Sequence, residues 1–503
     1  MISSSAINLL FAISPYLTSS NAVVLCLLPD SAEQVSYAET FARKDNGAWV
    51  DYSSSDDDFT WGAQAASVCR IGTRWVMDGR MAYNNFTGHN MSGSAWIDPD
   101  DRPFDIVEGS ENAGTKKLER YFLSGGLSGS LGQIALGARM NLSAANYVKQ
   151  KDLRHQNKLL NLNVTAGLLW RANDVWSVGA DLYYRRIVEE LNFKTFGTTD
   201  RQYSSLIDYG AAFGVTEYST SNGLIEENQS RPWVESSYGF GVQLNMKTDG
   251  GLTWYSDGHL DWASGLYGKQ SLYTPVFMEN EGLNWSARTQ LDYGRHALSL
   301  QLQGYRMEND RNLFQYTNQG NGIKEYSYHG KLQTSRREKV SASLSYCIDL
   351  DRWQLKATAQ YDNRKLIASY YPNYRQQNLH AESIRIEGTR RWVHDVHDWG
   401  LTLRGGYSDG GGERADDGIY AGGSTLQTSN LTTWQSLLDK RADYMTCRQG
   451  QAGLSIGYGQ KILANHLRLY VTLDANWQKG WETTYDWDNT HRQSYELRIG
   501  CTF

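Results

Sequence analysis

From Gln34 onward the chain alternates: apolar side chains take every second position for roughly 10–14 residues, a turn follows, and the alternation resumes. In LNLNVTAGLLW, residues Leu160, Leu162, Val164, Ala166, Leu168 and Trp170 share one face, and Asn161, Asn163, Thr165 and Gly167 share the other. The same division recurs in WSVGADLYY, LNWSARTQLDYG, RWQLKATAQY and LRLYVTLDANW. A period of two places successive side chains on opposite faces of a β-strand. The final stretch, SYELRIGCTF, keeps this rhythm to the last residue.

Strand length separates the two environments that could hold such strands. Strands of soluble sandwiches average about 5–6 residues, and here the alternation persists about twice as long. A tilted span of hydrocarbon needs about 9–11 residues. Trp or Tyr bounds the apolar stripe at one or both ends, as in Trp170, Trp353 with Tyr361, Trp399 with Tyr407, and Trp477. Aromatic girdles at the edges of an apolar band mark a transmembrane β-barrel. The expected fold is therefore all-β, an antiparallel up-and-down barrel.

Turn spacing predicts the topology. Short connections fall near residues 72–73, 130–131, 172–173, 249–250, 294–295, 349–351, 394–398 and 460–464. Long connections lie between them, at 87–114, 189–234, 308–333 and 410–445, with shorter polar loops at 147–156, 269–281, 367–377 and 479–491. Outer-membrane barrels keep short turns in the periplasm and long loops outside. The last strand then runs toward the periplasm, as does 59–69, so an upward strand must precede 59–69, and 33–43 is its candidate. The count is about 18 strands, with 16 as the alternative, since 33–43 and 203–220 could each be misread.

Composition agrees. The 503 residues include 48 Gly, 32 Tyr and 17 Trp but only 7 Pro, and 21% are charged. Many aromatics with little Pro suit long strands and exclude disorder. A net charge of −6 argues against nucleic-acid binding, which needs a basic face. Cys26, Cys69, Cys347, Cys447 and Cys501 are dispersed and odd in number, so they read as apolar filler rather than a disulfide or metal framework.

No charged residue precedes Asp30, and the apolar runs 7–17 and 23–28 resemble leader material. The reading is a signal peptide over residues 1–22, cleaved near Ser20-Asn21-Ala22, followed by one barrel domain over 33–503. Pro15 and the polar residues 18–21 interrupt the run, which leaves too few apolar residues for a membrane helix.

Barrels of this size enclose water unless plugged. No separate plug domain is evident, but 189–234 and 410–445 are long enough to fold back, and LTTWQSLLDK within the latter could form a short helix. Parity sends Arg139, Asp181, Arg185, Arg288, Asp292, Lys356, Arg385, Glu387, Arg404, Arg468, Asp474, Glu496 and Arg498 inward. These charges either pair across strands or, through Arg385, Arg404, Arg468 and Arg498, form a basic sector that attracts anions.

Motifs for chemistry are sparse. Acidic clusters at Asp51 and Asp56–Asp58, at Asp98, Asp100, Asp101 and Asp105, and at Glu413, Asp416 and Asp417 read as solvated loops and match no EF-hand. The basic stretch Lys149, Lys151, Arg154, His155 and Lys158 could meet phosphates of outer-leaflet glycolipid, or simply be solvated. His259 and Asp261 share an inward face, yet no nucleophile can be placed beside them. No hydrolase, phosphate-loop or dinucleotide signature occurs, and no cofactor or metal site is expected.

The stretches GHNMSGSAWIDPDDRPFDIVEGSENAGTKKLERY, AANYVKQKDLRHQNKLLNLNVTAGLLWR, YYRRIVEELNFKTFGTTDRQYSSLIDYG and DYMTCRQG resemble an uncharacterised outer-membrane β-barrel family of Bacteroidota, of the Bacteroides and Porphyromonas type. The resemblance covers most of the chain after about residue 33 and implies a barrel in the outer membrane, with no reaction attached.

The expected function is a channel or transport accessory for small solutes. A surface-binding or scaffold barrel acting through its loops with another membrane protein or lipoprotein is the alternative, and a hydrolase is disfavoured. Expected partners are outer-membrane lipids and glycolipid, and the barrel-assembly machinery during biogenesis. The lipid-facing ladder Tyr495, Leu497, Ile499, Cys501 and Phe503, ending on an aromatic residue, resembles the signal that machinery reads.

Overall fold

The computed structural model describes residues 14–28, 34–197, 201–220, 223–269, 271, 274–321, 323–423, 431–462 and 467–503. Its main body is a sheet of 18 antiparallel strands, each bonded to its neighbour along the chain. The first strand, Gln34–Asn46, also pairs with the last, His491–Thr502, placing Tyr37 opposite Thr502 and Asn46 opposite Gln493. That pairing closes the barrel and removes both free edges, so every strand has two hydrogen-bonded neighbours.

Strand count and polarity agree with the sequence reading. The strand expected at 33–43 runs Gln34–Asn46, and the one at 59–69 runs Asp57–Ile71. Turns as short as Gly294-Arg295 join strands at one end, and the long segments gather at the other. Residues 308–333 differ from expectation. They are not a loop but the tip of a hairpin made by His296–Gly320 and Ile323–Leu350, which remain paired to Gly320 opposite Ile323. Tyr316, Tyr326 and Phe314 pack across that tip and give it cross-strand support.

The outer face is apolar and bare. Leu123, Leu136, Leu182 and Ile384 are each more than half exposed. At the short-turn end the band is edged by Trp75, Trp170, Trp353 and Trp399, and at the other by Trp61, Tyr121, Tyr238, Trp262, Tyr361 and Tyr407, all exposed. Trp353 and Tyr361 stand roughly 26 Å apart along their strand, at ~3.3 Å per residue. Contiguous apolar surface of this extent is unstable in water and matches a hydrocarbon layer. Among the described residues no helix is long and apolar enough to cross a membrane.

The lumen is not empty. A second, five-stranded antiparallel sheet lies inside the barrel, in the order Leu431–Thr433, Phe213–Tyr218, Ser204–Gly210, Asp105–Glu108, Gly93–Ser94. Its strands come from three of the long inter-strand segments. The ambiguous region 203–220 is thus a hairpin of this interior sheet and not part of the wall. An α-helix, Gln435–Thr446, packs against it through Leu437 and Leu438, beside Leu206, Ala211 and Ala212. Residues 424–430 lie outside the described residues.

A shorter segment fills the other end. Residues 14–28, a helical turn at Pro15–Thr18 followed by a 3-10 helix at Ala22–Leu27, run inside the wall. They overlap the expected leader at 14–22, while residues 1–13 lie outside the described residues.

Candidate functional site: the plugged lumen

The lumen has two apolar ends and a polar waist. Toward the long-loop end, inward wall residues Leu191, Phe193, Trp233, Tyr267 and Met278 join Trp96, Phe104, Ile106, Ile207 and Phe213 of the loops in one buried cluster. Phe104 sits edge-on to Trp96, Trp233 and Tyr267, with centroids 5.8, 6.3 and 5.4 Å away. Such packing commits the interior sheet to the wall, since each ring buries area that an aqueous lumen would hydrate.

Ion pairs fix its position. Arg102 donates to Glu189 on the wall at 2.5 Å, and Glu189 also accepts from the Ile97 amide and from Asn157. Glu108 of the interior sheet meets Lys149 at 2.9 Å and Lys116 at 3.6 Å, both wall residues and all three buried. On the helix, Arg441 reaches Asp105 at 2.9 Å and Asp208 at 3.3 Å. Burial penalises the Arg441 cation, but Asp51, Asp105 and Asp208 outweigh that and hold its pKa above the usual guanidinium value. Asp443, fully buried, accepts from Arg414 at 2.7 Å and from the amides of Thr484 and Tyr485. Lys440 lies over the rings of Tyr52, Tyr485 and Trp487, at 5.9, 5.7 and 5.2 Å.

These contacts correct two sequence readings. The cluster at 98–105 is not wholly solvated, because Asp105 is buried between Ser94 and Arg441, whereas Asp100 and Asp101 are exposed and Asp98 lies half exposed beside Arg120. The basic stretch at 149–158 does not offer all its charges outward, since Lys149 and His155 are buried facing the interior. Among the described residues no cluster of His, Cys, Asp or Glu could hold a metal ion.

Two cavities lie along the wall beside the interior loops and helix. One, about 850 Å³, is lined by Arg385, Glu387, Arg404, Asp474, Glu496 and Arg498. Its floor includes Gly400 and Gly457, directly opposite each other in the sheet. The other, about 840 Å³, lies between the interior loop at Trp96–Asp101, the helix at Arg441–Thr446, and wall residues Lys339, Asp362 and Arg364. Arg43, Asp45, Tyr444 and Arg492 border both, so the two cavities are neighbours there.

The wall charges singled out from sequence are mostly paired. Arg404 bridges Glu387 at 3.2 Å and Asp474 at 2.5 Å. Arg498 pairs with Glu39 at 2.9 Å and with Glu496. Arg468 pairs with Asp398. Arg139 makes a two-pronged bond to Asp78, and Arg185 meets Glu235 at 3.2 Å. Arg288 pairs with Asp257 at 2.5 Å, and Asp292 accepts from Gln290. Lys356 lies opposite Glu387 in the sheet register. Arg385 forms no ion pair among the described residues. The terminal ladder Tyr495, Leu497, Ile499 and Phe503 is exposed on the outer face, and Cys501 lies between Ala38 and Leu469.

Sequence reasoning missed a serine beside His259. Ser20 Oγ lies 3.3 Å from His259 Nε2, and Asp181 lies 3.8 Å from His259 Nδ1. The other Asp181 oxygen accepts from Gln243 Nε2 at 2.5 Å. The row therefore ties residues 14–28 to the wall; the Asp–His separation is too long for the hydrogen bond that orients a catalytic histidine.

Residues 26–503 match a family described as a family of unknown function, DUF6850. No curated protein matches the chain. Among solved structures it is similar to BauA, the ferric preacinetobactin receptor from Acinetobacter baumannii, at 7% identity and TM-score 0.39, covering 93% of this chain and 80% of that one. A Pseudomonas aeruginosa FadL homologue is similar at 10% identity and TM-score 0.35, covering 96% and 92%. The outer membrane transporter YddB from Escherichia coli is similar at 7% identity and TM-score 0.41, covering 93% and 80%.

Proposed function

The chain belongs to the DUF6850 family, whose description carries no activity, and from the geometry of its own lumen we propose that it is a gated outer-membrane transport barrel for small polar solutes. The observation that carries this reading is the pair of neighbouring cavities, about 850 and 840 Å³, running along a wall of charged and polar residues beside a folded plug. A barrel serving only as an anchor has no need of a polar interior passage beside its plug. The exposed apolar band with an aromatic edge at each end supports placement in an outer membrane.

The plug supplies the gate. It is joined to the wall by side-chain contacts, so it can move without breaking the barrel's hydrogen-bonded ladder. Most charges around the first cavity are paired, Arg385 excepted, so the passage suits neutral or zwitterionic polar solutes better than a strongly charged one. A scaffold barrel acting through its loops is the competing reading, favoured by the sheet that crosses the lumen. Planar-bilayer recording of the purified protein decides. Conductance that rises when the plug is loosened supports transport, and none in several salts for either form supports the scaffold.

A further inference from the structure

We propose that residues 14–28 stay in the mature protein as an N-terminal plug that fills one side of the lumen at its short-turn end and leaves the first cavity beside it. Val23, Val24 and Leu25 are completely buried, and Leu17, Ala22 and Leu28 nearly so. Their neighbours are inward wall residues: Val35, Ala66, Val68 and Val76 on one side, Ala135, Leu169 and Tyr255 on the other. These wall positions are apolar where the waist of the lumen is polar. Without the segment they would face water; with it they form a core.

The wall also fits the backbone of the segment. A Cβ added at Gly137 would lie 2.6 Å from the Val23 amide nitrogen, and one at Gly167 2.0 Å from Asn21 Oδ1. Both positions lack a side chain where the segment comes closest. Four wall arginines donate to its carbonyls: Arg70 to Leu28, Arg80 to Leu17, Arg171 to Cys26 and Arg288 to Pro15. Asn21 donates to Gln243 at 2.8 Å, and Gln243 passes the chain on to Asp181. Shape, apolar surface and hydrogen bonds all match a stretch whose apolar run otherwise reads as leader. The same residues satisfy an empty pattern on the wall, which a discarded leader would not need to do.

Cys26 provides the test, because its sulfur lies 2.7 Å from Ser128 Oγ on the wall. In S128C, with Cys69, Cys347, Cys447 and Cys501 changed to Ser, the introduced thiol faces Cys26 at disulfide range. Protein purified from outer membranes should retain the peptide bearing Cys26, and diamide should link it to the wall peptide. A mature chain beginning beyond Cys26, or two thiols that diamide leaves unlinked, would overturn the proposal. A second variant guards against misfolding of the first. G137L with G167L should crowd the segment out and speed Cys26 alkylation several-fold in a barrel that remains heat-modifiable. An unchanged alkylation rate in that folded barrel would also overturn it. Neither readout depends on conductance, so failure of the transport reading would leave this result standing.

Discussion

Arg102 and Glu189 meet at 2.5 Å with both side chains almost wholly out of solvent, one on an interior loop and the other on the barrel wall. Removing one partner from a buried pair leaves the other charge stranded, at a cost of about 3–5 kcal/mol. E189A is therefore expected to release the loop around residues 95–113 while the wall stays folded. Limited proteolysis should then cut near Arg102 in the variant and spare the wild type. The double replacement R102M with E189M, which removes both charges at similar volume, should recover most of the protection.

Acid should tighten the interior sheet. Burial holds the Asp208 carboxyl above the usual carboxylate range, only partly offset by Arg441 and Arg337, and burial raises Glu217 in the same way. A carboxyl with a raised folded pKa binds its proton more tightly in the folded state. Its contribution is complete below the unfolded value, about 3.9 for Asp, and fades as pH rises through the folded value. Amide exchange in 204–218, corrected for intrinsic rates, should show protection falling as pH rises above the ordinary carboxylate range. D208N should flatten that slope, and an unaltered slope would refute the assignment.

Ser20 beside His259 resembles a nucleophile, but its contact anchors residues 14–28 to the wall. A fluorophosphonate probe should leave Ser20 unmodified in the folded protein. S20A should neither alter assembly nor abolish conductance. Labelling at Ser20 would restore the hydrolase reading.

The last strand should matter for biogenesis. Phe503 ends the exposed outer ladder, and its backbone pairs with Ser36 on the first strand. F503D is expected to lower the amount of heat-modifiable barrel in outer membranes several-fold. Normal levels would argue that assembly does not read this residue.

The wall was legible in the sequence because each strand alternates for its whole length. Leu160 to Trp170 and Leu467 to Trp477 show their faces without reference to any neighbour. The lumen was less legible, since contacts between a loop and a distant strand leave no local period. A signal was nevertheless present. Leu169, Leu191, Phe193, Trp233, Tyr255 and Tyr267 are apolar or aromatic at inward positions, near strand ends, where an aqueous pore favours polar residues. Each marks a place where a plug packs. The acidic run at 98–105 misled for the complementary reason: its charges read as solvated, whereas Asp105 has Arg441 as a partner 336 residues away.

If a movable plug gates a polar passage, single-channel recording should separate wild type from R441A. Arg441 ties the helix to Asp105 and Asp208 of the interior sheet. The wild-type barrel is expected to be mostly closed, and the R441A barrel to show several-fold greater mean conductance and a reversal potential near zero in a KCl gradient. A silent membrane for both proteins across several salts, with the barrels demonstrably folded, would contradict this gating.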